Sequence, residues 1–321
     1  VLDGFDLGLG MLFPLLARTE SEKRGVYDAM APFWHGNQVW LITAGGVTFA
    51  AFPKTYAVMF STLYTPLMLL LFALILRGVA FEFRDKEDSH AWRTLWDGCL
   101  VVGSLVPAVI LGVAFANLFR GLPLDQHGLF VRGFNFFHLL NPYGLLGGLL
   151  FVLFFATHGA LWLATRGEGT LHRRGRQFAQ RLWVPLFAAA ALFLAASASA
   201  TRLYANYLSA PVLFAVPLLA VACLVLCRRL MAREAWGRAW AASAGAIAGA
   251  TLFGVLGLFP ALMPSTTHAS YSLTAFNSAS SPLTLAIMLA VAAVMVPAVL
   301  AYQTWAYLRL RPASGGAGEG Y

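Results

Sequence analysis

The chain has 321 residues, of which 59% are hydrophobic and only 11% are charged, and its formal net charge is +8. A soluble globular domain carries about 25% charged residues, so this composition excludes a water-soluble enzyme. Apolar runs such as residues 56–76 reach the roughly 20 residues that a helix needs to span a bilayer. The sequence therefore predicts an all-α fold, a polytopic bundle of transmembrane helices.

Hydropathy along the chain predicts nine spans. They cover residues 1–17, 33–51, 56–81, 94–117, 143–164, 181–200, 209–228, 239–262 and 283–308. The first is too short to cross about 30 Å of hydrocarbon, so we expect it to be the remaining part of a truncated first helix. Residues 1–310 are predicted to form a single transmembrane domain, and residues 311–321 a disordered cytoplasmic tail.

The basic residues predict the orientation of these spans. Seventeen arginines and lysines fall in the tail and in the loops after spans one, three, five and seven, whereas the opposite loops contain only Lys54, Arg120, Arg132 and Arg202. Since basic loops stay in the cytoplasm, the N-terminus is predicted outside and the C-terminus inside. The net positive charge suits anionic lipid headgroups, and we predict no binding of nucleic acid.

Polar side chains in the first span are candidate functional groups, because such groups are costly at membrane depth. Asp3 and Asp6, in the segment LDGFDLGLG, lie three residues apart and share one helix face. We place them near the outer end of the span. They are expected to handle protons, to contact a partner, or simply to bond to neighbouring helices in the headgroup zone.

The second span opens with the polar segment WHGNQ. On a helix, Trp34, His35 and Gln38 lie within one turn, and Asn37 lies on an adjoining face. An imidazole exchanges protons near neutral pH, so His35 could relay protons. It could also ligate a metal or haem, or form a hydrogen bond with a neighbouring helix at the inner interface.

Two outer segments contain the next candidates. His138 precedes Asn141 and Pro142 in a turn that leads into a glycine-rich helix, and His268 lies in an uncharged loop rich in hydroxyl groups. Two axial haem ligands must face each other at one depth. Only His138 and His268 share a level, and both lie beside loops. We therefore predict that this chain alone binds no haem and no metal ion.

Several of these segments resemble subunit II of the cytochrome bd quinol oxidases. The similar segments are DGFDLGLGML, WHGNQVWLITAGGVTFAAFP, LILRGVAFEFR, NFFHLLNPYGLLGG and FPALMPSTTHASYSLTAFNSASSPLTL. The resemblance runs from residue 1 to about residue 307 in the family's order. It implies a partner, subunit I, that holds haem b and haem d cofactors and the quinol site. It also implies a complex in the bacterial cytoplasmic membrane that oxidises quinol, reduces O2 to water and contributes to the proton gradient without pumping.

The same resemblance suggests roles for individual residues, with no catalytic residue in this chain. The proton-route candidates are His35, Asn37, Gln38, Asp3 and Asp6, and the candidates for contact with subunit I are Trp34, Arg77, His138, Asn141 and His268. Two departures stand out. The outer segment TRLYANYLS is short for the family, and His35 stands where the family usually has an aspartate associated with the cytoplasmic proton route.

The resemblance is also compatible with a structural quinone, a small single-span subunit and bound membrane lipids. Two other functions stay open on the sequence. The chain could be a degenerate paralogue that acts only as a membrane scaffold. It could also be a secondary transporter, which would favour paired broken helices in two halves, although no internal repeat is visible.

Overall fold

The computed structural model describes residues 1–309. The predicted disordered tail, residues 311–321, lies outside the described residues. The helices are α1 (Leu2–Leu16), α2 (Glu20–Met30), α3 (Trp34–Ala51), α4 (Pro53–Thr62), α5 (Tyr64–Phe83), α6 (His90–Arg120), α7 (Phe136–Leu139), α8 (Pro142–Arg166), α9 (Gly169–Ala200), α10 (Tyr204–Ser209), α11 (Ala215–Ala232), α12 (Trp236–Leu258) and α13 (Pro282–Arg309). Short 3-10 turns cover Arg84–Lys86, Pro211–Phe214 and Ala269–Tyr271.

Within residues 1–309, one small sheet accompanies the helices. Strands β1 (Ala261–Met263) and β2 (Leu273–Thr274) pair antiparallel in the loop before α13. Within residues 1–309, seven helices are long and apolar enough to cross a membrane. These are α5, α6, α8, α9, α11, α12 and α13, with α5 and α11 each extended by an adjoining turn. The predicted first and second spans correspond to α1 and α3, which are not among the seven.

Two predicted boundaries differ from the structure. The predicted span 56–81 is divided at Leu63 into α4 and α5, because Pro66 cannot donate a hydrogen bond to Thr62 and suits the first turn of a helix. The predicted loop before residue 181 is instead helical, and α9 begins at Gly169. Arginine favours helices, and Arg174 and Arg176 in this extension form ion pairs with Glu22 and Glu234.

The centre of the bundle is α8, against which α1, α6, α9 and α12 pack. Backbones of α1 and α8 come very close because glycines face each other. A Cβ added to Gly8 would lie 1.8 Å from the carbonyl oxygen of Phe155, and one added to Gly159 would lie 2.6 Å from the amide nitrogen of Leu9. Small residues at such crossings are the usual means of tight helix packing in membranes.

Helices α3 and α13 lie at the periphery. No side chain of α13 is buried among the described residues, and those of α3 are buried only at Trp34, Asn37 and Ala51. The two helices are joined by polar contacts at both ends. Trp40 Nε1 donates to Gln303 Oε1 at 3.0 Å, and Ser280 Oγ donates to the Ala50 carbonyl at 2.5 Å.

An ionic cluster holds α2 against the ends of α5 and α6. Arg84 Nε lies 2.6 Å from Asp97 Oδ1, and a second guanidinium nitrogen lies 2.8 Å from Glu20. Lys23 contacts the same two carboxylates, at 2.8 Å from Asp97 and 3.1 Å from Glu20. The hydrogen bond from Arg84 lowers the pKa of the Glu20 carboxyl from 4.5 to about 2. The stabilisation of the folded state by the ionised Glu20 carboxylate is therefore fully present above pH 4.5. It is lost as the pH falls towards 2.

Candidate functional site

A chain of hydrogen bonds links three helices inside the bundle. Tyr307 OH, in the last turn of α13, donates to Asn37 Oδ1 at 2.6 Å, and Asn37 Nδ2 donates to Asp6 Oδ2 at 2.6 Å. The Asp6 side chain is 0% exposed and Asn37 is 1% exposed. Residues from α1, α3 and α13 therefore form one continuous polar chain, which we call the Asp6 chain.

A buried ion pair lies beside this chain. Arg77 Nη1 of α5 donates to Asp3 Oδ1 of α1 at 3.2 Å, and Arg77 is 0% exposed. Arg77 was predicted to contact another subunit, but it is enclosed within this chain. The reason is the close approach of α6: a Cβ on Gly103 would lie 2.7 Å from Arg77 Cβ. The guanidinium also lies 5.7 Å from the centre of the Phe81 ring.

Several polar atoms of this buried group have no hydrogen-bond partner within the described residues. Among residues 1–309, Asp3 Oδ2, Asp6 Oδ1, and Nε and Nη2 of Arg77 have no hydrogen-bond partner. Arg77 is paired with Asp3, and Asp6 takes part in no ion pair within residues 1–309. A buried carboxyl group in this situation can accept and release a proton, with Asn37 holding it in place.

Asp3 and Asp6 lie at the end of α1 that is farther from the arginine-rich side, because the Leu16 carbonyl at its other end accepts a hydrogen bond from Arg174 Nη1 at 2.6 Å. Their helix packs against the half of α8 that leads to Arg166, and the Asp6 chain ends at Tyr307, two residues before α13 ends. The sequence predicted the outer end of the first span, and the membrane side on which this end lies stays a prediction. The level at which α1 crosses α8 is fixed by Gly8 and Gly159, which hydropathy alone does not reveal.

His35 does not belong to the Asp6 chain. Its ring is exposed and stacks on Trp34 with ring centres 3.6 Å apart, while Trp34 is buried and stacks on Phe81 at 4.7 Å. Trp34, which was predicted to contact another subunit, thus packs on α5 of this same protein. Gln38, three residues beyond His35 in α3, is half-buried. The segment predicted as one polar group is divided by the helix into an exposed histidine and a buried asparagine.

The outer candidates organise local structure. Asn141 caps α8, because its Oδ1 accepts a hydrogen bond from Gly144 N at 2.9 Å. Its Nδ2 donates to Asn117 Oδ1 at 2.8 Å. His138 completes the cap of α7 with Asn135. His268 is exposed, and its Nδ1 lies 2.8 Å from Ser270 Oγ.

The histidines do not form a haem pocket. His35, His138 and His268 are exposed and bound to local partners, whereas the buried His158 of α8 contacts Ser243 Oγ at 3.1 Å and stacks on Trp240 at 5.0 Å. In residues 1–309, no three His, Cys, Asp or Glu side chains come together in a way that could hold a metal ion. These four histidines therefore do not fit axial ligation of a haem within residues 1–309.

Tyr307 is the member of the site that the sequence did not reveal. It stands in an apolar helix near its end, where aromatic residues are common at membrane interfaces. Its hydrogen bond to Asn37 joins positions 270 residues apart. Only the aromatic and polar content of the segment AYQTWAYLR could have drawn attention to it.

Comparison with known proteins gives consistent matches over nearly the whole chain. The family model described as cytochrome bd terminal oxidase subunit II matches residues 1–310. The chain is 39% identical over 342 aligned residues to cytochrome bd-I ubiquinol oxidase subunit 2 of Escherichia coli strain K12, covering 97% of this chain and 89% of that protein. It is 36% identical over 310 residues to cytochrome bd ubiquinol oxidase subunit 2 of Bacillus subtilis strain 168, covering 97% and 90%.

The fold also matches a solved structure. A chain of the bd oxidase from Geobacillus thermodenitrificans superposes with a TM-score of 0.74 and 17% sequence identity, covering 96% of this chain and 94% of that one. At this level of identity the likeness concerns the fold alone.

Proposed function

This chain belongs to the cytochrome bd terminal oxidase subunit II family, and we propose that within its complex it supports subunit I and conducts protons from the cytoplasmic side. As subunit II it is an integral membrane component of a bd-type quinol oxidase, and the oxidoreductase activity belongs to the complex. Membership of this family leaves the transporter interpretation without support. The observation that carries the proton-route proposal is the Asp6 chain.

The proposed route uses the exposed and buried polar groups in order. His35 stands at the exposed entrance, beside the start of α3, and Gln38 lies one turn further along. Asn37 holds the Asp6 carboxyl group, which takes up the proton, and Tyr307 in turn donates to Asn37. The Asp3–Arg77 ion pair, with 3.2 Å between Oδ1 and Nη1, lies beside this group. A proton route would account for the presence of these buried polar groups, each of which is costly at membrane depth.

The cofactors and other partners follow from the family. We propose that haem b and haem d lie in subunit I, because the four histidines described above do not fit axial ligation within residues 1–309. Quinol and O2 then react at the level of the complex. A structural quinone, a small single-span subunit and membrane lipids complete the proposed assembly in the bacterial cytoplasmic membrane. His138, Asn141 and His268 remain proposed contacts with subunit I.

We propose nine spans, with α1 and α3 as the first two, and an N-out/C-in orientation. Single cysteines at Arg173 and Arg233 should then react only from the cytoplasm, and those at Arg132 and His268 only from outside. All four side chains are exposed. The measurement is labelling by a membrane-impermeant maleimide in intact cells and in inverted vesicles, after the native cysteines are replaced. Reaction at position 233 from outside would overturn the assignment.

His35→Leu should slow oxygen consumption by the complex several-fold at normal haem content, with most activity retained in His35→Asp. The effect should be smaller than the factor of about 100 or more that a positioned acid or base contributes, because water reaches an exposed entrance by other paths. The measurement is quinol-dependent oxygen consumption per haem from about pH 5.5 to 8.5. His90→Leu, at an exposed histidine that begins α6, is the control. Equal rates for His35→Leu and the parent would remove His35 from the route.

A further inference from the structure

The ends of α9 and α11 on the basic side form a strongly positive surface. Residues 166–181 and 228–238 contain nine arginines and two glutamates. Arg176 is paired with Glu234, and Arg174 with Glu22. In contrast, Arg181, Arg228 and Arg229 are exposed, and none of them takes part in an ion pair within residues 1–309. The surface therefore has cationic groups available for an anion.

Trp183 joins the two helices just below this surface. Its indole nitrogen donates to the Leu224 carbonyl of α11 at 2.9 Å, and the guanidinium of Arg228, one turn further along α11, lies 5.8 Å from the centre of its ring. Elsewhere, α9 packs chiefly on α8, and α11 packs on α12. Trp183 thus bridges α9 and α11 and lies next to Arg228.

The surface on the membrane side of these arginines is apolar. Val184 of α9 is 60% exposed and Leu226 of α11 is 47% exposed, and the exposed side chains Leu192 and Leu219 continue along the same helices. A soluble phosphate compound has no apolar part that could cover these exposed side chains. Fatty acyl chains would cover it, while Trp183 takes the interfacial position that tryptophan favours.

We propose that an anionic phospholipid binds where α9 and α11 meet at Trp183, with its phosphate at Arg228, further cationic support from Arg181 and Arg229, and its acyl chains along α9 and α11. Arginine suits the role, because its planar guanidinium binds phosphate oxygens in pairs and remains charged. A site of this kind also anchors the extended end of α9 at the membrane surface. The site is separate from the Asp6 chain, so its failure would leave the proposed proton route untouched.

The test uses the complex with subunit I, purified in mild detergent and examined by native mass spectrometry with added phosphatidylglycerol, phosphatidylcholine or inorganic phosphate. The parent should bind phosphatidylglycerol in preference to phosphatidylcholine, and inorganic phosphate should not displace it. Arg228→Gln should weaken phosphatidylglycerol binding about fivefold, which corresponds to about 1 kcal/mol for one lost cation. Arg228→Lys should retain more of the binding than Arg228→Gln does.

Arg202→Gln, on the opposite side of the predicted topology, is the matched control and should bind as the parent does. Arg181→Gln gives a second test if Arg228→Gln fails to assemble, because Arg181 is exposed and outside the ion pairs of the described chain. Equal binding of phosphatidylcholine and phosphatidylglycerol by the parent would overturn the proposal. So would unchanged phosphatidylglycerol binding in an Arg181→Gln/Arg228→Gln double variant.

Discussion

Replacement of Asp6 by asparagine is expected to lower quinol-dependent oxygen consumption about 100-fold, the lower range for loss of a positioned proton carrier. Asparagine keeps the volume of the side chain and can still accept the hydrogen bond from Asn37, which spans 2.6 Å in the parent. The fold and the haem content of the complex should therefore remain normal. What the variant lacks is a group that can take up a proton at this buried position.

The measurement is oxygen consumption per haem in the assembled complex, with Tyr307→Phe as a companion variant. Tyr307→Phe removes only the terminal hydroxyl of the Asp6 chain and should give a smaller loss. Ser197→Ala serves as the control. It removes a buried hydroxyl that lies 2.8 Å from the Tyr143 hydroxyl and does not belong to the Asp6 chain. Parental turnover in Asp6→Asn would support the scaffold interpretation and place proton entry elsewhere.

A second large effect is expected at the crossing of α1 and α8. Gly8→Leu should prevent recovery of an assembled, haem-containing complex, because even the first added carbon would lie 1.8 Å from the carbonyl oxygen of Phe155. Backbone atoms cannot move aside as a flexible side chain can. Separation of α1 from α8 would also displace Asp3 and Asp6 from Arg77 and Asn37, so packing and site would be lost together.

Size-exclusion chromatography with haem absorbance measures this outcome. The matched control is Gly98→Ala in α6, where an added Cβ would meet nothing within 4 Å, and where alanine favours the helix by about 1 kcal/mol. Gly98→Ala should assemble like the parent. Recovery of Gly8→Leu in equal yield would mean that α1 and α8 are farther apart in the complex than in this chain.

Much of the helical architecture could be predicted from the sequence, because long apolar segments such as those of α6, α8 and α13 have few alternatives in a bilayer. The break at Leu63 and the early start of α9 were missed. Both depend on local effects, a proline in the first turn and arginines with carboxylate partners, that hydropathy averages do not contain.

The candidate site was only partly predictable. Asp6 and Asn37 stood out because polar groups in apolar segments are unusual, but their direct contact depends on how α1 and α3 cross. Tyr307 gave no comparable signal, and Arg77 gave no indication that it would be enclosed. The exposure of His35 follows from the rotation of α3 about its axis, which a single sequence does not determine when the helix is apolar on most of its surface.

The peripheral position of α13 has a consequence for biogenesis. This helix leaves the ribosome after every other described helix, and it buries no side chain in the bundle. The earlier helices can therefore insert and pack while the Asp6 chain still lacks Tyr307. A nascent subunit would then hold an incomplete polar path during synthesis, and the path would be completed only when the final helix docks along α3.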